Sequence, residues 1–292
     1  MSSPTPHETC ESLAPEEAAR LFSGETGVWA RHLNTGETIS FNSDGVFETA
    51  SCIKVPIMLE VLRQAGEGRF GLHDPLPFRE EHRVLGSGIL RDLSSRVVLT
   101  VRDAVVLMIV VSDNSATNML IDLVGLDAVN ETLRSLGLRE TVLHNRISFQ
   151  EDAPDRLGSS TPREFGVLLE KVYRRQAVSP AACEQAIDIM KRQQYNQAIA
   201  RYLPYDLIAP PHREGEKRVV EIASKSGSWT GVRNDAGIVF TPWGDYVVSL
   251  WSKGCKDERY HVDQEAMVIL PAVSRWIFDR FVGARASPRP PH

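Results

Sequence analysis

Four cysteines in 292 residues are too few and too scattered for a disulfide framework or a metal cage. Cys10, Cys52, Cys183 and Cys255 show no metal-like spacing; one disulfide could form, but free thiols in a reducing compartment are the simpler expectation. His73, His82 and His144 share no ligand spacing either, so neither a metal nor a cofactor is expected. Long apolar runs are missing. The longest, Ala104 to Val111 and Ala266 to Val273, have eight residues each, whereas crossing a bilayer takes roughly 20. A basic excess is missing too: 33 Lys and Arg against 38 Asp and Glu give a formal charge of -5. Nucleic acid and membrane are therefore not expected partners, and a small molecule is.

The first 22 residues are polar and acidic, with no basic start and no hydrophobic stretch. That makes the cytoplasm the default expectation, or the periplasm or exterior if a signal peptide has been removed. A monomer is expected.

What is present is ordinary for a folded chain: 42% hydrophobic and 24% charged residues, enough to bury a sizeable core. Pro15 to Leu21 reads as a short helix, and Gly27 to Phe41 as a hairpin around Asn34-Thr35-Gly36. Helices follow over Ser51 to Gln64, from Thr100 to Ser112, over Ser115 to Val124 and over Ala128 to Leu136. His144 to Ser160 lacks any sustained period and reads as a long surface loop. Thr161-Pro162 and Ser179-Pro180 each open a further helix. Strand-like runs then appear at Val219 to Ser224, Gly237 to Phe240 and Tyr246 to Trp251, before a closing helix over about Asp263 to Phe281.

Strands at both ends and helices between them imply an α+β fold. Its antiparallel sheet comes from both termini, flanked by helices, with an all-helical lobe inserted between its halves. The expected division is a polar leader and first helix over 1–24 and one catalytic domain over 25–286. Within that domain, 25–45 and 215–286 form the α/β lobe and 46–214 the helical lobe. A cleft between the lobes is the place for chemistry.

Three short segments carry chemically useful residues. In Ser51-Cys52-Ile53-Lys54, a hydroxyl and an amine three residues apart share a helix face, so the amine can activate a weak nucleophile. The bland alternative is a helix cap beside a solvated lysine. Ser112-Asp113-Asn114 ends an apolar helix and can aim a hydroxyl and an amide into the cleft; otherwise it is a cap and a turn. Lys225-Ser226-Gly227, on an edge strand before Ser228, suits a bound carboxylate, with the Ser228 N–H as an oxyanion donor beside that of Ser51. Its bland reading is a lysine-guarded sheet edge.

Taken in order, Ser-x-x-Lys, Ser-Asp-Asn and Lys-Ser-Gly resemble the signature of the serine penicillin-recognising enzymes, and the 61-residue step from Ser51 to Ser112 resembles class A β-lactamases. Phe47 to Ala50, Val111 to Leu120, Asp127 to Gly137 and Gly231 to Asp235 resemble the family's surroundings of these motifs. Gly86 to Leu90 with Leu99 to Asp103 is similar to a subgroup described as β-lactamase-related serine hydrolases. The resemblance implies a β-lactamase/transpeptidase-like fold and hydrolysis of an amide or ester through an acyl-enzyme. The substrate it implies is a β-lactam, or else a peptide or small ester. Ser51 would be the nucleophile, Lys54 its base or relay, and Ser112 the proton shuttle to the leaving nitrogen. Asn114 would hold the substrate's side-chain amide, while Lys225, Ser226 and Arg233 anchor its carboxylate. Gly227 would allow close backbone approach.

The loop departs from the family pattern. Relatives that hydrolyse their acyl-enzyme carry a Glu-x-x-x-Asn there, and His144 to Asp152 contains none. Glu151 is the nearest candidate base, with Glu140 further off. Slow deacylation is therefore expected. Trp229 stands where the family often has a small residue, and is either a rim tryptophan or a stacking surface. Tyr195, Tyr202 and Tyr205 show no functional pattern.

Overall fold

A computed structural model describes residues 12–149, 157–210 and 218–283. The chain opens with α1 (Pro15–Leu21), then the hairpin of β1 (Glu25–His32) and β2 (Thr38–Phe41). Its middle runs through β3 (Phe47–Glu48), a 3-10 turn (Ala50–Ile53), α2 (Lys54–Gly66), β4 (Pro75–Pro77), β5 (Val98–Thr100), α3 (Val101–Val110), α4 (Asn114–Val124) and α5 (Leu126–Ser135). It continues with β6 (Val142–Leu143), β7 (Gly158–Ser160), α6 (Pro162–Tyr173), α7 (Pro180–Met190) and α8 (Tyr205–Ile208). The chain then returns to the sheet with β8 (Glu221–Trp229), β9 (Val232–Phe240) and β10 (Tyr246–Lys253), and closes on α9 (Glu265–Val282).

The five-stranded sheet has the order β2-β1-β10-β9-β8, antiparallel throughout. The N-terminal hairpin thus joins the three C-terminal strands in one sheet, β1 against β10, as expected of this α+β fold. One face packs Val28, Ala30, Tyr246 and Val248 against α1 and α9; the other packs Trp29, Ile238 and Trp251 against α6 and α2. Burial on both faces turns β9 and β10 into almost continuously buried strands instead of alternating ones. Close contact between α6 and β1 depends on Gly166, where a Cβ would lie 2.0 Å from the Trp29 ring.

Two expectations need correction. The stretch from His144 to Ser160 is not loop throughout: Gly158–Ser160 is a buried strand, pairing with β3 on one side and β6 on the other. The inserted lobe accordingly carries two small antiparallel sheets, β3-β7-β6 and β4-β5, among its helices. Strand β9 starts at Val232, well before Gly237, because Arg233, Asn234 and Asp235 are buried polar residues with partners on other segments. Asn234 Nδ2 donates to the Glu48 carbonyl at 2.7 Å, and Asp235 Oδ2 accepts from the Ile199 N–H at 3.0 Å. Polar residues satisfied at long range look like a loop in sequence. No helix of the described residues is long and apolar enough to cross a membrane. The described cysteines, Cys52, Cys183 and Cys255, are free and buried.

Candidate active site

Ser51 sits in the 3-10 turn ahead of α2, straight after Ala50, whose φ of +43° is unusual for a residue with a Cβ. Strand β8 lies directly on this turn. A Cβ at Gly227 would come 2.7 Å from the Thr49 carbonyl and 3.0 Å from the Ser51 nitrogen, so glycine is what lets the two backbones meet. The Cys52 thiol donates to the Lys225 carbonyl at 3.1 Å and fastens the turn to the strand from beneath.

Which way the backbone of Ser228 points follows from its neighbours. Arg233, its antiparallel partner, turns its own backbone towards β10: its N–H donates to Ser252 Oγ at 3.0 Å, and its carbonyl accepts from that hydroxyl at 2.8 Å. Residues paired in an antiparallel ladder either both face each other or both face away. Ser228 therefore turns its N–H out along the free edge of the sheet, beside the Ser51 turn. A strand-edge N–H beside the Ser51 turn is the kind of backbone donor that can hold a developing oxyanion.

Lys54 begins α2 and is fully buried. Its Nζ lies 2.7 Å from the Ser112 carbonyl, 3.1 Å from Ser112 Oγ and 2.8 Å from Asn114 Oδ1. The Asn114 amide is oriented by its other end, where Nδ2 donates to the Leu85 carbonyl at 2.9 Å. Burial, and after it the nearby Lys225 cation, push the Lys54 pKa well below the ordinary lysine range. Nζ donates to three oxygens, the Ser112 carbonyl, the Ser112 hydroxyl and the Asn114 amide; losing the proton that faces Ser112 leaves a lone pair placed to take that hydroxyl's proton.

Ser112 joins α3 to α4 in a left-handed conformation, φ +54°. The corner is held by Asp113, whose carboxylate accepts N–H groups from Ala116 at 2.9 Å and from Ile89 and Leu90 at 2.8 Å each. Asp113 thus caps α4 and ties the 84–90 segment to the corner, which aims Ser112 and Asn114 into the cleft.

Lys225 is buried and donates to the Ser226 carbonyl at 2.7 Å. Burial draws its pKa down to about 8, while Asp235 and Cys52 oppose the fall. Asp235, opposite Ser226 in the ladder, has its carboxyl raised to about 6 by burial. Arg233 is placed elsewhere. Its guanidinium donates to the Trp229 and Val232 carbonyls at 2.6 and 2.7 Å and to that of Arg259 at 2.9 Å, and lies 4.5 Å from the Tyr260 ring centre. Those bonds brace the β8–β9 turn, and Arg233 does not line the cleft. Glu151 lies outside the described residues.

The cleft encloses about 580 Å³, and Ser51, Ser112, Asn114, Ser226 and Ser228 all open onto it. Sequence reasoning missed part of its wall. Asn118, one helical turn after Asn114, grips the 144–149 segment in both directions: Oδ1 accepts the Ile147 N–H and Nδ2 donates to the Ile147 carbonyl, each at 2.9 Å. Ile147 is thereby fixed against the cleft. The i, i+4 spacing of the two asparagines was the available signal. Tyr195 also lines the cleft and donates to the Val111 carbonyl at 3.3 Å. Among the described residues no group of His, Cys, Asp and Glu is placed to hold a metal ion.

Comparison with known proteins gives the chain a family and a fold. A model of the "Beta-lactamase enzyme family" matches residues 14–281. A β-lactamase of Sphaerobacter thermophilus shares 31% identity and superposes with a TM-score of 0.81, covering 93% of this chain and 96% of its own. A point mutant of PBP-A, captured as an acyl-enzyme with penicillin G, shares 26% identity over 96% of this chain and 99% of its own, at a TM-score of 0.77. A β-lactamase of Streptomyces lavendulae is 27% identical over 238 residues, covering 79% of this chain and 72% of the relative.

Proposed function

The chain belongs to the β-lactamase enzyme family, and from that premise we propose that it is a serine hydrolase that forms an acyl-enzyme on Ser51 and releases it slowly. The observation that carries this reading is the buried Lys54, whose Nζ lies 3.1 Å from Ser112 Oγ and 2.8 Å from Asn114 Oδ1. In the proposed reaction the Ser51 oxygen attacks the carbonyl carbon of an amide or ester, foremost a β-lactam, and its proton passes to the Lys54 nitrogen. The N–H groups of Ser51 and Ser228 hold the oxyanion. As the carbonyl re-forms, the carbon–nitrogen bond breaks and Ser112 delivers a proton to the leaving nitrogen, being resupplied from Lys54. Lys225 and Ser226 hold the substrate carboxylate, and the remaining Asn114 N–H meets the side-chain amide. Arg233, occupied with backbone carbonyls, has no part in this scheme.

Release of the acyl group needs a base within a hydrogen bond of the attacking water, directly or through one relay. The segment gripped by Asn118 offers the aliphatic side chain of Ile147 instead. This favours a penicillin-binding or D,D-peptidase-like hydrolase over an efficient lactamase.

Intact-protein mass spectrometry after mixing with benzylpenicillin, with drug consumption followed alongside, tests the proposal. A mass increase of one drug molecule that persists while little drug is consumed is expected, and Ser51→Ala should show none. An adduct on Ser51→Ala would overturn the nucleophile; rapid drug loss without a lasting adduct would overturn the slow release.

A further inference from the structure

The two walls of the cleft touch through aromatic rings. Phe149, at the end of the 144–149 segment, lies 5.4 Å from Trp229, centre to centre, with the ring planes inclined by 36°. Its ring tip also reaches the 84–90 segment: a Cβ on Gly86 would stand 3.3 Å from Phe149 Cζ, so the ring uses space that glycine leaves open. Both side chains line the cleft, yet they remain 42% and 39% exposed. Two aromatic surfaces in contact at a cleft mouth, each still wet, offer apolar area that a ligand can cover.

Resting on the acyl-enzyme reading above, we propose that Trp229 selects acyl donors bearing an uncharged aryl or arylacetyl side chain, which takes the place the Phe149 ring holds in the free protein. Trp229 follows Ser228 directly, so a carbonyl oxygen held by the Ser228 N–H brings the acyl side chain alongside the indole. Ile147 and Leu157 line the same cleft and are likewise apolar. Rotation of Phe149 about its side-chain bonds vacates the seat without any change in the backbone. One aromatic partner of Trp229 is exchanged for another, so the stacking contact is retained while the ligand's own apolar area leaves water. Phe149 is in this view a competitor for the seat, and Trp229 is the seat.

The two roles predict opposite responses. Second-order acylation rates are measured by mass spectrometry for benzylpenicillin, which has a phenylacetyl side chain, and for 6-aminopenicillanic acid, the same nucleus without it. The readout is the ratio of the two rates. Trp229→Ala should lower the ratio about tenfold, the scale of an aromatic contact. Trp229→Phe should keep it within about twofold of wild type, and Phe149→Ala should raise it. An unchanged ratio in Trp229→Ala, or equal falls in Trp229→Ala and Phe149→Ala, would overturn the assignment. If neither compound leaves an adduct on the wild-type protein, it is the acyl-enzyme reading that fails, and calorimetry tests the seat independently. Binding of phenylacetylglycine in preference to acetylglycine, lost in Trp229→Ala, supports it; no preference overturns it.

Discussion

The wall of the cleft formed by α2, α3 and α4 and the wall formed by residues 144–149 face the same space with opposite chemistry. On the first, Lys54, Ser112 and Asn114 are joined by hydrogen bonds of 3.1 Å or less, and Asp113 locks their corner with three backbone N–H groups. On the second, the backbone of Ile147 is held just as firmly by Asn118, but the side chain presented is aliphatic. Both walls are therefore preorganised, and they differ in what they can do with a proton. Rigidity alone does not predict turnover; the reactive group must also sit at the rigid point.

The sharpest way to break the comparison is to disable the proton-handling wall. Lys54→Met keeps length and suits a buried site but removes the base. Acylation by benzylpenicillin should slow by about a thousandfold, within the range for loss of general-base catalysis. A loss below about tenfold would move the base elsewhere and remove the contrast between the walls.

Much of that first wall was legible in the sequence, since its groups sit at short, fixed spacings at helix starts and ends. Ser51 with Lys54, and Ser112 with Asn114, each sit within one turn of chain, but the bonds that join the wall run from Lys54 to Ser112 and Asn114, 58 and 60 positions on, and only the order of the motifs hinted at them. Contacts across the fold were not legible. Arg233 reads as a candidate anchor from its place beside the lysine box, but its orientation is set by carbonyls of Trp229, Val232 and Arg259. Likewise, the spacing of Asn118 from Asn114 does not name its partner, which is 29 positions away. The early start of β9 was hidden for the same reason, its buried polar residues being satisfied from segments distant in sequence.

The next effect in size comes from giving the second wall a base. Ile147→Glu places a carboxylate on a backbone that Asn118 already holds at 2.9 Å on both sides. Deacylation should quicken by about a hundredfold, with acylation changed only a few-fold, because the groups that acylate lie on the other wall. The adduct should shorten in lifetime while drug consumption becomes continuous. If the adduct persists unchanged, Ile147 is not the point where water must be activated, and the contrast between the walls does not govern turnover.

The smallest effect concerns the sheet edge that faces both walls, and it sharpens what each charge is for. In the proposed scheme Lys225 works as a cation while Lys54 works as a neutral amine, so raising the pH affects them differently. Lys54, whose pKa is pushed well below the ordinary lysine range by burial and by the Lys225 charge, serves in this scheme as the free amine, a form that further alkali does not disturb. Lys225, drawn down to about 8, loses its proton in the mildly alkaline range, and with it the attraction for the substrate carboxylate. The second-order acylation rate should therefore be level around neutrality and fall above about pH 8, by about tenfold per unit for loss of one proton. Cys52 is no competing explanation, because burial pushes its thiol far above this range. Lys225→Arg supplies the check: a guanidinium stays charged, so the alkaline fall should disappear even though the different head group lowers the plateau. A fall near pH 8 that survives in Lys225→Arg would assign it to another group and return Lys225 to a purely structural part in holding the Ser226 carbonyl.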